Sequence, residues 1–185
     1  MAIKVEEIPV RSYPPDVQST GEEYRQYVLT LGADVYGVAA AEDFSLFPTK
    51  PQPERFVQGA KSVIVIGLAY SRGTTASKQG PRFRTAPFYH TVAMYLAGMG
   101  TMGLNCCILT PEFGPRVFVT SAITNRELPA GRPLAEDICD KERCLRCVKA
   151  CLSGALDGKG WKNPFACASY GCCGTCVAIC PKGQG

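Results

Sequence analysis

Two cysteine-rich stretches decide the fold: Cys139-Asp-Lys-Glu-Arg-Cys144-Leu-Arg-Cys147-Val-Lys-Ala-Cys151 and Cys167-Ala-Ser-Tyr-Gly-Cys172-Cys173-Gly-Thr-Cys176-Val-Ala-Ile-Cys180-Pro181. A shift of 29 residues places the C-x2-C-x3-C pattern that begins at Cys144 on the one that begins at Cys173. Cys139 and Cys167 precede the two copies at nearly the same offset. Short C-x2-C loops bring thiols together around one centre, so this internal duplication predicts two metal-cluster sites.

The duplicated motif resembles the cluster-binding segments of bacterial ferredoxins, which hold two [4Fe–4S] clusters through cysteine thiolates. In those proteins the fourth cysteine of each motif ligates the other cluster. The resemblance therefore implies a crossed ligand set. One cluster would be bound by Cys139, Cys144, Cys147 and Cys180, and the other by Cys151, Cys167, Cys173 and Cys176.

Details of this ligand set stay open. Cys172 competes with Cys173, and we prefer Cys173 because it keeps the 29-residue spacing. Cys151 is followed by Leu152, whereas Cys180 is followed by proline; this proline is not a ligand, so we expect both clusters to form. Four-cysteine zinc sites are the alternative, because they also use C-x2-C hooks, but they need neither the third cysteine nor the Cys-Pro pair.

Composition indicates a globular cytoplasmic protein. Nine of the eleven cysteines lie between residues 139 and 180, and residues 1–7 contain no apolar signal core. No apolar stretch reaches the length of a membrane span. Because disulfides do not persist in a reducing cytoplasm, the clustered thiols favour metal over a disulfide framework.

The charge of the chain does not predict a nucleic-acid partner. The formal net charge is +4, and two clusters at about −2 each would bring it near zero. Lysine and arginine are scattered rather than grouped into a basic patch.

The chain divides into an arm (1–17), an α/β lobe (18–128) and a ferredoxin-like domain for two [4Fe–4S] clusters (129–185). We therefore expect an α+β fold. The capping box Thr20–Glu23 predicts a helix that ends at Gly32, and Pro87 begins another that ends near Gly98. Strands are predicted at 33–40, at 62–70 as a buried central strand, at 105–109 and at 117–124.

A longer stretch points to a family. Residues 98–125, Gly-Met-Gly-Thr-Met-Gly-Leu-Asn-Cys-Cys-Ile-Leu-Thr-Pro-Glu-Phe-Gly-Pro-Arg-Val-Phe-Val-Thr-Ser-Ala-Ile-Thr-Asn, run into the cysteine motifs. This stretch resembles epoxyqueuosine reductases and reductive dehalogenases, and the likeness extends over about residues 20–181. It implies a nitroreductase-like lobe that binds a corrinoid, with two clusters that feed electrons to its cobalt.

The predicted lobe is short for that family. Its members carry several dozen further residues where this chain has only 71–97. We therefore expect a truncated corrinoid-binding lobe. The predicted cofactor-binding residues are the glycines of one turn, which alternatively serve only to pack backbone closely: Gly98, Gly100 and Gly103.

No residue is predicted to be catalytic. His90, the sole histidine, is expected to be a surface or half-buried helix residue rather than a cobalt ligand, and Glu112 a turn residue. The vicinal pair Cys106-Cys107 is expected to lie buried in an apolar strand.

Three functions fit these patterns. The first is an electron-transfer protein whose two low-potential clusters serve a redox partner protein. The second is a corrinoid-dependent reductase. The third is a corrinoid-handling or assembly partner, docked on a larger enzyme. The small lobe also favours a homodimer or a complex with a partner chain.

Overall fold

The structure is a computed structural model that describes residues 21–70 and 88–183. The predicted arm, Thr20 of the capping box and Pro87 lie outside the described residues. The lobe contains α1 (Gly21–Thr30), β1 (Val35–Ala40), β2 (Ser62–Ala69), α2 (His90–Leu96), β3 (Thr101–Met102), β4 (Ile108–Leu109) and β5 (Val117–Thr124). The cysteine region contains three short helices: α3 (Arg146–Lys149), α4 (Pro164–Ser169) and α5 (Thr175–Ala178).

The main sheet has three strands in the order β1-β2-β5, and both pairings are antiparallel. The apolar run Ser62–Ala69 occupies the centre, as predicted, and Ile64 lies opposite Val38 on one side and Ala122 on the other. A second, two-stranded sheet pairs β3 with β4. The predicted mixture of helices and strands is confirmed, and the pairing is antiparallel throughout these two sheets.

The core of the lobe lies between this sheet and α2. Helix α2 contacts all three strands and buries Ala93 and Leu96 against Val63 and Val65, whose side chains are fully buried. Phe44 closes one end of the core from a 3-10 turn at Glu42–Leu46. A second 3-10 turn covers Pro53–Arg55.

Helix α1 forms as predicted and is followed by Gly32, whose φ is +94°. None of its residues is buried, although it contacts β1. Val28 and the exposed Leu31 instead line an open groove with Leu68 and Phe118 of the main sheet.

The strand predicted at 105–109 is wrong over its first three residues. Only Ile108–Leu109 is a strand, and Cys106 has a left-handed backbone with φ +58°. The Asn105 side chain accepts a hydrogen bond from the Cys107 N–H at 3.2 Å, which holds a turn. An Asn that bonds to its own backbone two residues on favours a turn over a strand.

The cysteine region repeats its structure as well as its sequence. Helices α3 and α5 begin and end 29 residues apart and pack against each other. Gly154 and Gly183, also 29 residues apart, both have left-handed backbones, with φ +61° and +64°. The duplication therefore extends beyond the cysteines to the turn that follows each motif.

The chain between the lobe and the cysteine region stays packed on the lobe. The Gly131 N–H donates to the Val38 carbonyl at 2.8 Å, and the Ile138 N–H donates to the Thr101 hydroxyl at 2.9 Å. These bonds fix the chain directly before Cys139. No helix within residues 21–70 and 88–183 has the length and apolar character needed to cross a membrane.

Candidate iron-sulfur cluster site

The four cysteines predicted for the first cluster line one small cavity. Three come from the first motif and one from the end of the second. Apolar, polar and charged residues complete the wall: Leu104, Asn105, Leu109, Asp140, Arg146, Pro181 and Lys182. The volume is about 20 Å³, enough for one water molecule, so binding a cubane would require the cysteine side chains to rotate outward. The donor set of four thiols fits a [4Fe–4S] cluster.

Local structure fixes each of these thiols. Cys147 is buried on α3, and the Cys144 N–H donates to the Asp140 carbonyl at 2.9 Å. Cys180 is buried in the turn after α5. Burial raises the pKa of the Cys147 thiol, while the Val148 N–H acts against this shift by hydrogen bonding.

A buried arginine of the lobe holds the end of the second motif. Arg116, 5% exposed, donates to the carbonyls of Lys182 at 2.9 Å and of Cys180 at 3.5 Å, and it also donates to the Gly183 carbonyl. The Gly114 backbone lies against Lys182 so closely that a Cβ there would stand 2.2 Å from the Lys182 carbonyl oxygen. The lobe thereby positions Cys180 beside the first motif.

The cysteines predicted for the second cluster are gathered less completely. The Cys167 thiol hydrogen-bonds to Cys172, and both Cys173 and Cys176 lie within electrostatic range of it. Cys151 and Cys176 pack against the same apolar residues, Leu104 and Leu156 among them. Burial raises the pKa of Cys176 to about 12, so its thiol would have to lose a proton on binding iron.

Cys151 has the donors that a bound thiolate needs. Burial raises the pKa of this thiol, but hydrogen bonds from the Ser153 hydroxyl and from the N–H groups of Leu156 and Ala155 outweigh burial and lower it. Its Sγ lies 3.6 Å from the Ser153 Oγ. Such donors around a sulfur also set the potential of an iron-sulfur cluster.

Cys172 differs from its neighbour in exposure. Cys172 is exposed, has φ +49° and donates its N–H to the Cys167 carbonyl at 3.0 Å. Cys173 is half-buried, and its Sγ lies 3.2 Å from the Thr175 hydroxyl. Both contact Cys167 electrostatically, and the choice of Cys173 as ligand stays a prediction.

Within the described ranges, no three His, Cys, Asp or Glu side chains stand close enough together to hold a single metal ion. A cubane places one thiolate on each of four irons, so its cysteines stand further apart than the ligands of one ion.

Protein atoms surround the glycines that were predicted to face a cofactor. A Cβ at Gly98 would stand 2.2 Å from the Arg132 carbonyl oxygen, and one at Gly100 would stand 2.2 Å from that of Leu109. At Gly103 it would stand 2.3 Å from the Leu109 side chain. Close approach to backbone accounts for Gly98 and Gly100, and close approach to side chains accounts for Gly103; a cofactor-facing role stays a prediction.

His90 begins α2 and is half-buried, with its Nδ1 3.0 Å from the Ser121 hydroxyl of β5. Burial lowers the pKa of this imidazole. Glu112 is exposed in the turn before Gly114. Both residues therefore occupy the positions that we predicted, a helix and a turn.

Cys106 and Cys107 lie in the turn between β3 and β4 of the lobe and are half-buried, so the predicted position of the pair, buried in a strand, is wrong. The Cys106 thiol donates to the Gly160 carbonyl at 3.2 Å. Burial raises the pKa of Cys107 to about 11, so its thiol is neutral at physiological pH.

Comparison with known proteins finds relatives along most of the chain. No family model matches the sequence. The epoxyqueuosine reductase of Bacillus anthracis is 27% identical over 255 aligned positions, which cover 92% of this chain and 66% of that enzyme. The tetrachloroethene reductive dehalogenase of Sulfurospirillum multivorans is 32% identical over 114 positions, which cover 48% of this chain and 22% of that enzyme. The predicted resemblance to these two groups of enzymes is confirmed.

This chain is shorter than its relatives. It spans just under two thirds of the length of the Bacillus anthracis epoxyqueuosine reductase. The 255 aligned positions also exceed the 185 residues of this chain, so that reductase has internal residues that this chain lacks. The predicted shortness relative to these enzymes is therefore confirmed.

Solved structures share the fold. An epoxyqueuosine reductase crystallised with an epoxyqueuosine-modified tRNA-Tyr stem loop has a TM-score of 0.70 at 22% identity, covering 89% of this chain and 65% of that chain. A reductive dehalogenase whose structure suggests a mechanism for B12-dependent dehalogenation has a TM-score of 0.68 at 16% identity, covering 94% of this chain and 34% of that chain. The first of these proteins was crystallised with a tRNA stem loop, whereas the scattered charge of this chain predicts no nucleic-acid partner.

Sequence reasoning missed three residues around the cysteines. Arg116 lies 64 residues before Cys180, and its role depends on the turn that it clamps. Asn105 is almost fully buried and reaches the Cys176 carbonyl at 3.5 Å. Lys162 is a half-buried lysine between the two motifs. No spacing rule marks them, although the two lysines between the cysteine motifs, Lys159 and Lys162, are a signal that could have been weighed.

Proposed function

We propose that this chain is an iron-sulfur redox protein that binds two [4Fe–4S] clusters and passes single electrons to a partner protein or a bound cofactor. The observation that carries the proposal is the cavity lined by Cys139, Cys144, Cys147 and Cys180, because it draws thiols from both copies of the motif. The crossed ligand set of bacterial ferredoxins requires such a combination.

The proposal assigns a domain to each role. Residues 18–128 form a nitroreductase-like lobe that positions the cysteine region, and residues 129–185 form a ferredoxin-like domain that binds the clusters. Arg116 holds the turn after Cys180 in place through three carbonyls. The bond from Ile138 to Thr101 does the same for Cys139. Bound clusters would supply one-electron chemistry.

A corrinoid-dependent reductase is the second candidate. It is supported by the fold shared with a structure described as B12-dependent and by relatives that are themselves reductases. In this case the lobe would hold the corrinoid, with Gly98, Gly100 and Gly103 on its loop. If the chain instead serves as an assembly partner of a corrinoid enzyme, it would need the same lobe but would not catalyse a reaction itself.

One preparation tests these functions. The protein is purified without oxygen, iron and sulfide are counted, and cob(II)alamin is then added while its absorption is recorded. We expect about eight irons per chain, and about four in Cys144→Ser/Cys147→Ser. The partner is then sought by adding a reduced ferredoxin-type donor and measuring the rate of cluster reduction.

Each outcome decides between the proposals. Eight irons without any change in the corrinoid spectrum support electron transfer to a partner. Stoichiometric corrinoid capture, with cobalt reduced through the clusters, supports the reductase instead. Zinc in place of iron and sulfide, with no visible charge-transfer absorption, overturns both. A tRNA stem loop added in the same preparation tests whether nucleic acid binds.

A further inference from the structure

Lys162 is placed among thiols by a tight hairpin. Leu156 and Lys162 form an isolated antiparallel bridge, and the loop between them is held by the Asp157 carboxylate, which accepts the N–H groups of Lys159 at 2.7 Å and Trp161 at 3.0 Å. Neighbouring side chains of an extended segment point to opposite sides. Trp161 is accordingly exposed, whereas Lys162 is half-buried.

The surroundings of Lys162 contain thiols from three segments. The groups with the strongest electrostatic effect on it are Cys107, Cys167, Cys176 and Cys106. The bridge to Leu156 also sets Lys162 beside the apolar cluster of Leu156, against which Cys106 and Cys176 pack. The backbone supports this placement, because the Cys106 thiol donates to the Gly160 carbonyl on the same hairpin at 3.2 Å.

Lys162 forms no ion pair with a carboxylate of residues 21–70 or 88–183. The ion pairs among the described residues involve Arg25, Lys61, Lys141 and Arg143. A half-buried cation without a counter-charge is costly, and neutral thiols do not offset that cost. A cluster bound by four thiolates carries a net charge of about −2 and would provide the missing negative charge.

We propose that the Lys162 ammonium is the fixed counter-charge of the cluster bound through Cys167 and Cys176, and that it raises the reduction potential of this cluster. The inference rests on the proposed function. Reduction adds one electron to a group that is already negative, so a nearby cation stabilises the reduced form more than the oxidised form. The attraction is strong because the half-buried site screens charge less than water does.

The test is an EPR-monitored redox titration of the iron-loaded protein. In Lys162→Gln we expect one of the two midpoint potentials to become more negative, by about 59 mV if the loss of charge weakens reduction tenfold. The other potential should stay in place. Lys162→Arg keeps the charge and should restore the wild-type value. Lys159→Gln removes an exposed lysine from the same hairpin and should change neither potential.

The outcomes separate this inference from the function on which it rests. Eight irons with unchanged potentials in Lys162→Gln overturn the role of Lys162 and leave the clusters standing. A wild-type protein without iron and sulfide overturns both. If Lys162→Gln fails to retain four of its irons, Lys162→Met is titrated in its place. Full iron content in Lys162→Met at the wild-type potential overturns the inference, whereas loss of cluster in Lys162→Met that Lys162→Arg repairs supports it.

Discussion

At the scale of single residues, the last cysteine of each motif is expected to bind the cluster of the other motif. Cys180 belongs to the second copy in sequence but borders the cavity of the first, and Cys151 packs against the same apolar cluster as Cys176 of the second. A substitution in one copy should therefore damage the cluster of the other.

Cys180→Ser should remove the cluster held by the first motif, and Cys151→Ser the one held by the second. Each variant should lose about four of eight irons, since one thiolate in four is missing. EPR of the reduced proteins identifies which signal is lost. Cys172→Ser serves as the control and should keep both signals. Loss of the first-motif signal in Cys151→Ser would contradict the crossed ligand set.

Gly114→Ala should destabilise the contact between the lobe and the end of the chain. The new Cβ would overlap the Lys182 carbonyl oxygen, and φ is +59°. We expect a loss of about 2–4 kcal/mol in the free energy of unfolding, combining left-handed strain with overpacking. Gly32→Ala is the matched control, because φ is +94° there but no atom lies within 4 Å. Its loss should be about 1 kcal/mol, from strain alone.

His90 should make the stability of the lobe depend on pH. Burial holds the pKa of the folded imidazole below its ordinary value of 6.5, so the unfolded chain takes up the proton first as pH falls. The stability that neutral His90 contributes is complete above the pKa of the imidazole in the unfolded chain. It is lost as pH falls from that value to the pKa in the folded protein. Denaturant unfolding of wild type and His90→Gln at several pH values measures this, and the variant should show the weaker decline. Parallel declines would exclude His90 as the cause.

At the scale of elements, sequence patterns predicted those strands that depend on residues close together in the sequence. The apolar run at 62–69 became the central strand, and the run at 117–124 became β5 over the predicted residues. The turn at Asn105–Cys107 was missed because its hydrogen bond competes with an apolar pattern that also fits a strand. The strand order β1-β2-β5 depends on long-range pairing that no local pattern encodes.

The residues of the candidate site also divide into those that the sequence predicts and those that depend on contacts between distant segments. Spacing, together with the resemblance to bacterial ferredoxins, grouped the thiols that line the first cavity. Arg116 and Lys162 were beyond reach because their roles depend on the carbonyls and thiols of distant segments.

Helix α4 depends on its cap. It has only six residues, and the Asn163 side chain accepts the N–H groups of Phe165 at 3.0 Å and Ala166 at 3.1 Å. Asn163→Ala should cost about 1 kcal/mol and fray the segment that carries Cys167. Amide exchange over 164–169 measures the effect, with Asn163→Asp as the capping control. Equal protection in Asn163→Ala and Asn163→Asp would rule out this role.

At the scale of the whole molecule, the two regions have unequal cores. The lobe buries a continuous apolar cluster around Val63, Val65 and Leu96. The cysteine region has Leu104, Cys147 and Leu156 at its centre, packed mostly by other cysteines, and its helices have four to six residues. So small a core needs metal to remain folded.

Removal of iron should therefore unfold one region and spare the other. We expect chelation under nitrogen to abolish amide protection over 139–183, while 62–69 keeps its protection because its core contains no cysteine. Hydrogen exchange with mass spectrometry measures both segments in one sample. Retained protection over 139–183 without iron would show that the cysteine region folds by itself.

The cavity shared by the two motifs also orders events during synthesis. A ribosome releases Cys139, Cys144 and Cys147 well before it reaches Cys180, so a nascent chain offers three of these four thiols and no closed cavity. The carbonyls that Arg116 binds also belong to residues made long after it. The site can therefore be completed only after translation has passed the second motif, and a chain interrupted between the motifs exposes thiols that it cannot use.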